Sequence, residues 1–101
     1  MKYQFGDLLK IEFYDHASLS PEWHDLAYIK GYEIPVGECY GRLVYEDLLT
    51  LRVASMVIIE NGKITDMGSC HLCVRAAIKN IEKLENYPIP SKKPKHIKNL
   101  Q

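Results

Sequence analysis

Two of the chain's three cysteines stand as Cys70-His71-Leu72-Cys73. Such a pair is half of a tetrahedral zinc site, which needs four thiolate or imidazole ligands and commonly takes them from two pairs. Only one pair is present, so Cys39, His16, His24 or His96 would have to complete the site from elsewhere. A redox pair of the same spacing expects a helix N-terminus in a strand–helix–strand setting, which the surrounding pattern lacks. If 70–73 is extended, residues three apart point to opposite faces and chelate poorly. The pattern therefore favours ordinary buried or half-buried thiols, with Cys70 and Cys73 as weak metal candidates and no cofactor.

Asp15, His16, Trp23, His24 and Asp25 form a second cluster. Acid and imidazole together can move protons, and an indole can stack on a base or ring. The plainer reading is that Trp23 plugs one end of the core while the polar residues are solvated. The tyrosines number seven, and an outward Tyr14 and Tyr40 can line an interface. With Arg42 and Arg52 nearby, such a surface can hold a small anionic ligand or nucleotide between subunits. Candidate ligand or partner contacts are thus Tyr14, Asp15, Trp23, Tyr40, Arg42 and Arg52. No glycine-rich phosphate loop, nucleophile elbow or nucleophile–base spacing is present, so no catalytic residue is assigned and no enzyme is expected.

Charge divides the chain. Residues 1–85 hold nine Lys or Arg against thirteen Asp or Glu, whereas residues 86–101 add Lys92, Lys93, Lys95 and Lys98 with no acid. The body has no evident attraction for a phosphate backbone, and the tail has a little through Lys92, Lys93 and Lys95. The start of the chain turns polar at once, and no apolar run approaches transmembrane length. Together with an odd cysteine count, this gives the expectation of a cytoplasmic chain with free thiols and no membrane contact.

The elements that would position these groups read mainly as β. Leu9, Ile11 and Phe13 alternate with Lys10 and Glu12, a half-buried strand over 7–14. Ser20 as cap, Pro21 at the first helical position and Gly31 as left-handed stop predict a short helix over 21–30. Strand pattern resumes over Cys39–Glu46, with Gly41, Leu43 and Tyr45 on one face, before a corner at Glu46-Asp47. Residues 48–60 are the most apolar stretch, a strand long enough to bend. Asn61-Gly62 predicts a type I′ hairpin, with 63–74 returning beside 53–60. Val74, Ala77, Ile78, Ile81 and Leu84 recur at helical spacing, so local pattern favours a helix over 75–85. The competing reading is a 3₁₀ turn at 75–77 and a closing strand over 78–84. Pro88, Pro90 and Pro94 mark 86–101 as a basic, proline-containing tail to a domain over 1–85.

Gly6-Asp7-Leu8-Leu9-Lys10-Ile11-Glu12-Phe13-Tyr14-Asp15, Trp23 in an insert, Cys39-Tyr40-Gly41-Arg42-Leu43-Val44 and Ala77-Ile78-Lys79-Asn80-Ile81-Glu82-Lys83-Leu84 resemble a group of small uncharacterised phage and prophage proteins. The resemblance implies an SH3-like or Sm-like barrel with a closing strand at 78–84; with the short helix that the local pattern places in the loop after the first strand, the expectation is a mainly β, five-stranded barrel. It implies no activity. The reading that follows is a non-enzymatic phage accessory protein that binds a host protein or small anionic ligand as a homo-oligomer, through exposed strand edges at 7–14 or 48–59. A nucleic-acid-binding module using the barrel face and lysine tail is the first alternative. A small zinc-binding or redox protein built on Cys70 and Cys73 is the second.

Overall fold

The computed structural model describes residues 3–84 and Ile89. The tail, with Lys92, Lys93 and Lys95, lies outside the described residues. Five antiparallel strands form one sheet: β1 (Leu8–Tyr14), β2 (Val36–Glu46), β3 (Thr50–Glu60), β4 (Lys63–Val74) and β5 (Ile78–Lys83). Their order across the sheet is β4-β3-β2-β1-β5. The helix α1 (Leu26–Gly31) lies between β1 and β2, and a 3₁₀ turn (Arg75–Ala77) joins β4 to β5. No described helix is long and apolar enough to cross a membrane.

Alternation in β1 decides its faces. Leu9 and Ile11 are fully buried and join Leu43, Leu51 and Val53 in one cluster. Cys39, Cys73, Ile78 and Ile81 pack on its margin. Both edge strands, β4 and β5, thus contribute to the same small core, which requires a strongly curved sheet. The sheet is not closed, because β4 and β5 do not pair with each other among the described residues.

Two bulges correct the facial assignments. The β2–β3 register shifts between Leu43 and Tyr45, leaving Val44 unopposed. Tyr45 therefore pairs with Arg52 and is 52% exposed, on the face opposite Leu43. Of the two readings of 75–85, the structure has the 3₁₀ turn at Arg75–Ala77 followed by the closing strand β5, not the helix that local spacing favours. Ile78 pairs with Phe13 and Ile81 with Ile11, across a register shift that leaves Lys79 extra. Residues three apart thereby reach one face of a strand, which is why the spacing mimicked a helix.

The turns show what local chemistry does. Asn61 (φ 52°) and Gly62 (φ 77°) take the positive φ of the predicted hairpin, and β4 returns beside β3. The corner after β2 is longer than Glu46-Asp47, so β3 begins at Thr50 rather than 48. Asp47 organises it: Oδ1 accepts from the backbone N–H of Leu49 (3.0 Å) and Thr50 (2.7 Å) and from the Thr50 hydroxyl (3.0 Å).

The expected helix over 21–30 is shorter and starts later. Asp25 is its cap, accepting from the Tyr28 N–H at 2.8 Å, while the Ser20 carbonyl lies 3.1 Å from His24 Nε2. Gly31 is the last helical residue, not a left-handed stop; the chain leaves through an extended Tyr32. The expected exposed edges also shift. β1 is interior, flanked by β2 and β5.

Candidate functional site

The β2–β3 ladder ends at Arg42 opposite Ala54, whereas the β3–β4 ladder runs on to Glu60 opposite Lys63. Beyond Ala54 the hairpin is thus a two-stranded ribbon that leaves β2. Ser55 marks the parting point, its hydroxyl donating to the Tyr40 carbonyl at 3.0 Å. From Ser55 to Val74 no residue is buried. Yet Met56, Val57, Ile58 and Ile59 run consecutively, so the strand presents apolar side chains on both of its faces. Met56 is 62% exposed and Ile58 55%. The expected edge at 48–59 is present only here, along the β2-facing side of Met56–Glu60.

A second uncovered region lies between β1 and β2. The excursion from Asp15 to Pro35 is tied at its root, where the Asp15 N–H donates to the Pro35 carbonyl at 2.9 Å. None of its residues is buried, and α1 buries no side chain. Leu26, Tyr28, Ile29, Tyr32 and Ile34 are all exposed. Trp23 is fully exposed, so it does not plug the core. His24 stacks on Tyr28 with ring centroids 4.4 Å apart. Asp15, Glu22, Asp25 and Glu33 against Lys30 make the excursion acidic.

The other expected contact residues are dispersed over the sheet. Tyr40 donates its hydroxyl to Glu38 at 2.9 Å, and that bond raises the pKa of the phenol above its ordinary value. Lys10, opposite Tyr40, sits 3.8 Å from both Glu12 and Glu38 and faces Glu82 across β5. The Glu38 carboxylate is the main cause of its raised pKa. Arg42 turns inward along the sheet and donates to the Gly6 carbonyl at 2.9 Å. Arg52 lies 4.9 Å from the Tyr45 ring centre and 3.8 Å from Asp47. Tyr14 lies at the far end of β1 from these groups, half-exposed, beside Asp15. An anion at Tyr40 would therefore meet carboxylates first, and each arginine already has a partner within the chain.

The cysteines are free thiols. Cys70 is exposed and Cys73 half-buried, on opposite faces of β4, as an extended 70–73 requires. Among the described residues no three His, Cys, Asp or Glu side chains converge as a metal site. What the sequence did not reveal is that Cys39 of β2 and Cys73 of β4 face each other across the core margin, Sγ to Sγ 3.9 Å. The ribbon had a signal, four successive apolar residues in one strand. The thiol contact had none, because it depends on the curvature of the sheet.

Comparison with family models, curated proteins and solved structures returns no match.

Proposed function

We propose that this is a non-enzymatic binding protein that works as an assembly of identical copies. One observation carries the reading: the β3–β4 ribbon exposes Met56 and Ile58 and has no fully buried residue, while among the described residues the core cluster contains five buried side chains. A small domain with so little buried apolar surface gains much from a second copy that covers more of it. The backbone side of Met56–Glu60 that pairs with no other strand among the described residues offers strand pairing together with side-chain burial. The Asp15–Pro35 excursion, with its fully exposed Trp23, is then the contact for a host protein or other partner.

The strand meander with β5 returning to β1 is in keeping with the SH3-like or Sm-like type that the resemblance implies, while the phage accessory role rests on the resemblance alone. That link is an analogy of fold, not of mechanism. The carboxylates around Lys10 and Tyr40 weigh against nucleic acid on that part of the sheet.

The test is substitution of Ile58 by Asp, which places a charge on the ribbon without touching the core. The variant should keep its circular dichroism spectrum and shift to a lower mass in light scattering. An unchanged oligomer would remove the ribbon from the account. Trp23→Ala should leave assembly intact and abolish capture of the partner; retained capture would remove the excursion.

A further inference from the structure

The Cys39–Cys73 contact joins strands that are not neighbours in the sheet. Cys39 sits opposite Ile11 of β1 and Cys73 opposite Leu51 of β3, so the two thiols meet where the curved sheet brings its two halves together. They open on a cavity of about 380 Å³ whose lining also includes Phe13, Cys70, His71 and Ala77. A small solute can therefore reach thiols that a flat sheet would keep apart. Burial and the neighbouring Cys39 push the Cys73 thiol up to about 11, so it stays protonated at neutral pH and is not the first nucleophile.

We propose that this cavity is a thiol-oxidation site, in which Cys39 and Cys73 are joined as a disulfide by exchange with a small-molecule disulfide. In the first step Cys39, having lost its proton to water, attacks one sulfur of the small disulfide. The S–S bond breaks, and the leaving thiolate takes up a proton as one equivalent of thiol. Cys73 then gives its proton to water and attacks the Cys39 sulfur, expelling the second thiolate, which is protonated in turn. The two cysteines are oxidised and the small disulfide is reduced to two thiols, so atoms and electrons balance. The sulfurs must approach by roughly 2 Å to reach the bonded distance of about 2.05 Å, which side-chain rotation and modest strand movement supply. The bridge would fasten β2, just beyond the root of the exposed excursion, to β4 across 34 positions of sequence. Constraining a loop of that length restricts the unfolded chain, so the oxidised form should melt higher.

The experiment incubates the full chain with glutathione disulfide, quenches with acid, alkylates under denaturing conditions and reads intact and peptide masses. Denaturation makes the readout independent of assembly. The expected result is one alkylated thiol, Cys70, with Cys39 and Cys73 linked, and a raised melting midpoint. Cys70→Ser should form the same link. Cys39→Ser should leave Cys73 open to alkylation and show no rise in midpoint. Three alkylated thiols in the wild type, or a link that includes Cys70, would overturn the proposal.

Discussion

The Arg75 guanidinium reaches back 29 positions to Glu46, with Nη2 2.6 Å from the carboxylate. Its Nε donates to the Asp47 carbonyl at 2.7 Å, and its backbone N–H donates to the Leu49 carbonyl at 2.8 Å. One residue of the 3₁₀ turn thus holds the corner between β2 and β3, and fixes where β5 must begin. Arg75→Ala should cost about 1–2 kcal/mol, given charge-assisted bonds at a partly exposed site. Urea unfolding measures it. Arg75→Lys should recover only part, because an ammonium lacks the planar fork. A change within about 0.5 kcal/mol for the alanine variant would place the strength of this corner elsewhere.

Gly37 lies directly opposite Phe13, and a Cβ there would stand 2.5 Å from the Phe13 Cζ. Gly37→Ala must displace the ring, with an expected cost of about 1–3 kcal/mol. Paired with Phe13→Leu, the same substitution should cost clearly less than in the wild type. Simple additivity in chemical unfolding would contradict the ring contact.

Hydrogen bonds from the Thr50 N–H and hydroxyl hold the Asp47 carboxyl below its ordinary value of 3.8. A folded-state pKa that is depressed contributes stability above the unfolded value and loses it as pH falls through the folded one. Asp47→Asn should therefore be less stable than the wild type at pH 5–7, with the gap narrowing below about pH 4. Unfolding free energies measured across that range test the sign. A constant gap would assign the effect to packing.

Cys73 titrates in the opposite sense. Its thiol is raised from 9.0 to about 11 by burial and by Cys39, so its contribution is complete below pH 9 and is lost as pH rises through 11. Under reducing conditions the wild type should lose more stability over that interval than Cys73→Ser does. Parallel alkaline profiles would contradict this.

Sequence pattern revealed elements where local chemistry and tertiary demand agree. Leu9 and Ile11 alternate with Lys10 and Glu12 because one face of β1 is core, and Asn61-Gly62 turns because both residues tolerate positive φ. It misled where a bulge resets the period. Val44 sends Tyr45 outward, and Lys79 lets Ile78 and Ile81 share a face. Ser20 followed by Pro21 reads as the helix start, yet the helix begins five residues later at Asp25, a residue type that caps equally well. Of the two readings of Trp23, core plug and surface contact, the plug fails, because the excursion that carries Trp23 has no fully buried residue. The Cys39–Cys73 contact lies at a level that no local pattern encodes, the curvature of the whole sheet.

The proposed interface between copies along the ribbon is tested most directly by the mass of the native protein. Native mass spectrometry of gently purified, reduced protein should show a defined multiple of the 11.7 kDa chain. A lone 11.7 kDa species at micromolar concentration would contradict the account.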